Sequence, residues 1–155
     1  MNSVGIVVTF LVSLIPVLES RAAIPLGMGA WKLTPLVAFL ASAGSAICLA
    51  VLLAYCLDWL NRLLSPQQNF LGRLWNWTLN RSARKFSPSH WRSKLIGLII
   101  FIAIPLPGTG VWTGSIAGYL LGLKPWQIGL AGAIGGTIAA GVITLATAGV
   151  IKLAI

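Results

Sequence analysis

Glu19 and Arg21 stand two residues apart in VSLIPVLESRAAIPLGMGAW, a stretch that is otherwise apolar and broken by Pro16, Pro25, Gly27 and Gly29. The chain has only two acids, Glu19 and Asp58, and the first lies in hydrophobic sequence beside an arginine. A charge at bilayer depth costs about 2.5–3.5 kcal/mol, so it is kept where it faces a protein interior or an aqueous cavity. Apolar surroundings penalise the ionised carboxyl while a nearby cation favours it, and a group balanced this way can bind and release protons. Arg21 adds a fixed charge and a planar donor fork suited to phosphate. The plainer alternative is a Glu19–Arg21 ion pair that neutralises both groups and holds a turn together.

The second polar element, Pro105–Gly114 (PLPGTGVWTG), carries no charge. Its glycines permit positive φ and let backbone N–H groups face a ligand. A helix beginning near Thr113 would point its positive end at the same place. Irregular backbone at membrane depth survives only when buried in protein or lining a cavity. This donor-rich loop is therefore a candidate partner for an anion held by Arg21. The candidate site is Glu19 as the proton-linked group, with Ser20, Arg21, Pro25, Pro107, Gly108, Thr109, Gly110, Trp112 and Thr113 contacting substrate.

Other chemistries lack residues. One histidine (His90), two acids, and two cysteines inside one apolar run (Cys48, Cys56) supply neither a metal cage nor a catalytic triad. No enzyme activity and no cofactor are expected. The chain is 57% hydrophobic and 8% charged, where a soluble domain is about a quarter charged, so it reads as one membrane-embedded unit over 1–155. A net charge of +9 invites a nucleic-acid reading, but seven of the eleven cations (Arg62, Arg73, Arg81, Arg84, Lys85, Arg92, Lys94) lie in one loop between apolar blocks. That distribution fits a cytoplasmic loop that attracts anionic headgroups, with no nucleic-acid partner. Within it, Phe70, Leu71, Leu74, Trp75 and Thr78 follow helical spacing, which predicts an amphipathic helix lying in the interface. A connector resting on the membrane explains the same pattern.

The elements that must position the two polar stretches form four apolar blocks: Val4–Ala30, Leu36–Leu57, Leu95–Leu123 and Trp126–Ile151. The first and third are long and broken, while the second and fourth are clean and of spanning length. Pro16 to Pro35 and Pro105 to Pro125 are nearly equal spacings, and FLASAGSAICLAVLL matches LAGAIGGTIAAGVITL in its small residues. If each broken block is a re-entrant hairpin, each half crosses the membrane once and the second half is inverted. The expected fold is an all-α integral membrane protein built as an inverted repeat of re-entrant hairpin plus transmembrane helix. Repeat 1 covers 4–57, a basic cytoplasmic linker 58–94, and repeat 2 covers 95–152, with both termini outside. Four ordinary kinked helices are the alternative.

ESRAAIPLG and PLPGTGVWTG, in this order with a basic stretch between them, resemble the bacterial small multidrug export protein family, itself similar to the DedA/VTT membrane proteins. The resemblance covers nearly the whole chain. It implies two facing re-entrant hairpins, proton-coupled transport and a place in the bacterial cytoplasmic membrane. DedA-type relatives are associated with recycling undecaprenyl phosphate, and their eukaryotic kin with lipid scrambling. On this resemblance Glu19 matches the first-hairpin acid, Arg21 its partner and Gly108 the Pro-Gly turn. DedA-type second hairpins carry arginine after Pro-Gly, whereas Thr109-Gly110-Val111-Trp112 follow here, so substrate identity does not carry over with the fold. The leading expectation is a proton-coupled translocase of an anionic lipid such as a polyprenyl phosphate. A proton-coupled exporter of small drugs is the alternative, and a non-transporting scaffold a third. A homodimer is expected, since 155 residues enclose little cavity alone.

Overall fold

The computed structural model describes residues 3–16, 18–64, 91–106 and 108–154. Most of the basic linker, with its expected amphipathic helix over 70–78, and Pro107 lie outside the described residues. The described chain is all-helical: α1 (Ser3–Leu14), α2 (Glu19–Gly29), α3 (Pro35–Leu64), α4 (Trp91–Ala103), α5 (Val111–Leu120) and α6 (Pro125–Ala154). The order short, short, long therefore occurs twice.

Both long helices start by the same device. Proline at the first helical position gives up an N–H that has no intrahelical acceptor, and its fixed φ already suits the helix. Thr34 and Lys124 precede these prolines and accept the first helical bonds, Ala38 N–H to Thr34 O at 3.0 Å and Ile128 N–H to Lys124 O at 3.1 Å. Each long helix has 30 residues, more than the clean apolar runs alone suggest. The apolar run marks only the part suited to hydrocarbon, and α3 continues into polar sequence where Asp58 and Arg62 pair at 2.9 Å one turn apart. Among the described residues, Pro35–Leu60 and Pro125–Leu153 are long and apolar enough to cross a membrane. Their outer faces are greasy, with Leu52 60% and Leu145 76% exposed, as helix surfaces in hydrocarbon are.

α3 and α6 run antiparallel in close contact. A Cβ at Gly132 would sit 2.6 Å from that of Ala50, and one at Gly136 would sit 2.8 Å from that of Ala46, so glycine permits the approach. Against this pair the short helices form two hairpins. Gly5, at the start of α1, abuts Trp31, just beyond the end of α2. Lys94, early in α4, donates to Leu121 O after α5 at 3.2 Å, and Gly118 of α5 lies against Leu98 of α4. Each hairpin thus returns to the end where it began, and the two approach from opposite ends of the long pair. Their helices have 12 and 11, then 13 and 10 residues. At 1.5 Å per residue none exceeds about 20 Å, short of the ~30 Å hydrocarbon core.

One expectation is corrected. The sequence predicts a break at Pro25, yet this proline sits inside α2. Its missing N–H leaves the Arg21 carbonyl without a helical donor, a local loss that the helix tolerates. The break falls instead before Glu19, where Pro16 disfavours helix at Ile15.

Two hydroxyls raise a question of balance. Ser45 and Ser115 are fully buried, and their Oγ atoms have no partner among the described residues. An unsatisfied buried polar group costs about 1–3 kcal/mol. Ser115→Ala is accordingly expected to stabilise the protein in detergent by about 1 kcal/mol, read as a higher unfolding temperature. A lower one would mean that the hydroxyl has a partner.

Candidate functional site

The tips of the two hairpins meet beside the middle of α3 and α6, and among the described residues four hydrogen bonds cross between them. Glu19 is held at φ 40°, a left-handed conformation that costs a non-glycine residue about 1–3 kcal/mol. This turn at the head of α2 sends its carboxylate to the start of α5, where Oε1 accepts the Trp112 backbone N–H at 3.4 Å and the Val111 N–H also faces it. The Trp112 indole N–H returns to the first hairpin, donating to Leu14 O at 3.1 Å and capping the last turn of α1. Arg21 donates to the Thr109 carbonyl and, at 3.2 Å, to the Thr109 hydroxyl.

Local sequence explains how α5 offers its start to Glu19. Gly108 lies at φ 86° in a tight turn closed by Thr109 N–H to Leu106 O at 3.0 Å, a conformation that asks for glycine. The Thr109 hydroxyl, 2.6 Å from Ile104 O, ties the turn to the end of α4. Gly110 then precedes α5, which begins at Val111 and not near Thr113. Thr113 occupies the third position, and its hydroxyl accepts the Gly110 N–H at 3.0 Å, half of a capping box.

Gly110 itself is extended at φ −152°, a conformation open to any residue. Its requirement is space. A Cβ there would overlap both carboxylate oxygens of Glu19. The carboxylate therefore lies on the bare N-terminus of α5, where unpaired N–H groups and the helix dipole both favour an anion.

Glu19 and Arg21 do not form an ion pair. Asp58–Arg62 is the ion pair among the described residues. The reason is geometric, because residues two apart on a helix point to different sides. Each charge is instead committed to the opposite hairpin.

Ser20 is buried and, with Glu19, Arg21 and Thr109, lines a small cavity against α3 and α6. Its free volume of about 10 Å³ has room for roughly one water. Sequence reasoning missed two lining residues, Ser13 and Ser42, whose hydroxyls lie 3.1 Å apart. The available signal was two serines in otherwise apolar runs, VTFLVSL and FLASAGS. Trp112 and Gly110 join the site through Glu19. Thr113 supports it as a cap and is exposed, and Pro25 is exposed on α2 away from the cavity.

The sequence pattern of a family described as "Putative small multi-drug export protein" matches residues 19–143. The match begins at Glu19 and takes in Arg21, Thr109, Gly110 and Trp112 together with most of both long helices. No curated protein and no solved structure matches the chain.

Proposed function

The chain belongs to the small multi-drug export protein family, and from that premise we propose that it is a proton-coupled membrane carrier whose gate is the Glu19 carboxylate on the N-terminus of α5. The two hairpins are read as re-entrant, dipping from opposite faces of the bilayer and related as an inverted repeat. Their short helices and meeting tips support this reading. The basic loop is assigned to the cytoplasm and the termini to the outside.

The observation that carries the proposal is the carboxylate seated across the hairpin boundary. When ionised, Glu19 draws the tips together and leaves room for about one water, so nothing larger passes. A proton on Glu19 removes the negative charge that the α5 N-terminus favours and weakens the bond across the tips. The hairpins then part, exposing the N–H groups of Val111 and Trp112 together with the Arg21 guanidinium. Proton uptake thereby changes the site from net neutral to net positive.

Two substrate classes follow from this gate. Export of small molecules is the reading that the family description supports. A second reading, translocation of an anionic lipid such as a polyprenyl phosphate, is favoured by Arg21 and the α5 N-terminus. Together these form an anion-binding set that the protein's own carboxylate occupies in the closed state. The carrier is proposed to work as a homodimer, without enzymatic chemistry.

The test uses purified protein in liposomes that contain a pH-sensitive dye. A substrate of this carrier moves protons across the membrane only when protein and substrate are both present. A lipophilic cationic dye represents the drug class and a fluorescent anionic lipid the second. Proton flux with either supports the carrier and selects the class. Lipid or dye movement that ignores the pH gradient would refute proton coupling.

A further inference from the structure

Away from the hairpin tips, the start of α4 and the connector from α5 to α6 enclose an open cleft of about 400 Å³, large enough for a headgroup-sized ligand. It lies at the first residue of the apolar span Pro125–Leu153, the level at which headgroups meet hydrocarbon. Trp91 and Trp126 form one wall, edge to face with ring centroids 6.4 Å apart, and the Arg92 guanidinium lies 5.5 Å over the Trp91 ring. Lys94 and Lys124 line the cleft as well. The Lys94 ammonium is steadied by the Leu121 carbonyl at 3.2 Å, so it is held at the cleft.

Gln127 supplies the observation that points to a ligand. It lines the cleft yet is only 6% exposed. Its Oε1 accepts the Lys124 backbone N–H at 2.8 Å, which fixes the orientation of the amide. The NH2 group must then point the other way, and it has no partner among the described residues. The NH2 group is not among the sealed-off polar atoms without a partner, which among the described residues are Ser45 Oγ and Ser115 Oγ, so it opens on the cleft, where an acceptor can reach it. No carboxylate of this chain is that acceptor: the only acids are Glu19, which lies at the hairpin tips, and Asp58, which is paired with Arg62.

We propose that this cleft binds a phosphate group, carried by an anionic lipid headgroup or free in solution, through Lys94, Lys124 and the Gln127 amide. Two lysines and a neutral donor line one cleft that neither acid lines, beside the positive end of the 30-residue α6. The tryptophan wall suits the glycerol and upper acyl carbons of a lipid.

The test titrates delipidated protein with phosphatidylglycerol and with phosphatidylcholine, counting bound lipids by native mass spectrometry. The wild type is expected to hold the anionic lipid about tenfold more tightly. Gln127→Glu keeps the acceptor for Lys124 N–H but turns the free donor into a carboxylate, so binding should fall about tenfold with unfolding temperature unchanged. Lys124→Gln, at an exposed position, should weaken binding similarly, and Lys124→Arg should retain it. Glu19→Gln should bind as the wild type does, which separates this cleft from the hairpin tips. Displacement of the lipid by millimolar inorganic phosphate would assign the site to free phosphate. Persistence of the lipid would assign it to the headgroup. Equal affinity for the two lipids, or a folded Gln127→Glu or Lys124→Gln protein that binds phosphatidylglycerol undiminished, would overturn the proposal.

Discussion

Liposomes carrying Glu19→Gln should show substrate-driven proton flux no higher than protein-free vesicles, a loss of about 100-fold or more, while the protein remains folded and inserted. The amide keeps the shape of the carboxylate, so the side chain still fits its place in the fold. It cannot titrate, and a neutral acceptor gains little from the α5 dipole. The stability cost should therefore be modest, about 0.5–1 kcal/mol, against a complete functional defect. A purely structural role predicts a different pattern. If the two charges mattered only as a buried pair, a Glu19→Gln, Arg21→Gln double variant would recover stability and activity together. In the structure each charge bonds to the opposite hairpin and not to its neighbour. The double variant should consequently be inactive, and it should not regain the stability that the single variants lose. Recovered transport in the double variant would end the gating account.

Gly110→Ala should be nearly as damaging, for a reason that a second substitution can isolate. The backbone there is extended, so alanine meets no conformational penalty. The added methyl collides with the Glu19 carboxylate and pushes it off α5. Crowding of this kind costs about 1–3 kcal/mol, and the gate should lose its closed state, seen as proton leak without substrate. Glu19→Asp in the same protein shortens the side chain by one methylene and makes room for the methyl. The Gly110→Ala, Glu19→Asp pair should regain tight vesicles that neither leak nor unfold as Gly110→Ala does. If Gly110→Ala alone is tight and active, the carboxylate does not occupy the position described. By contrast, Gly108→Ala should act through φ 86° alone, since nothing lies within 4 Å of its added carbon.

Much of this arrangement was legible in the sequence because prolines and apolar runs report on backbone chemistry directly. Pro35 and Pro125 mark the starts of both long helices, and Pro16 marks the break that carries Glu19. The facing of Arg21 and Thr109 across 88 residues followed from reading two broken blocks as related units. Pro25 was misleading, because its cost falls on a single carbonyl and the rest of α2 sustains the helix. The ion-pair alternative could have been weakened from spacing alone, since i and i+2 positions on a helix diverge. It stays open in the sequence because nothing there fixes α2 to begin at Glu19. Gly110 was visible as a glycine, but its role as space for a carboxylate depends on a contact across the two hairpins. Ser13 and Ser42 were hidden for the same reason, and so was the cleft that unites Lys94 with Lys124. Such sites are products of packing between distant segments, which periodicity does not encode.

The central claim, that ionised Glu19 closes the hairpin tips and its protonation parts them, is tested most directly by a distance. Leu18 and Leu106 are exposed, 41% and 56%, on the first and second tips, and each can carry a spin label once Cys48 and Cys56 are replaced by alanine. Double electron–electron resonance in lipid nanodiscs then reads the separation across a pH series. The account predicts a short distance at high pH that lengthens as pH falls, and in Glu19→Gln a long distance at every pH. A separation that does not change with pH in the wild type, or one that changes equally in Glu19→Gln, would contradict it.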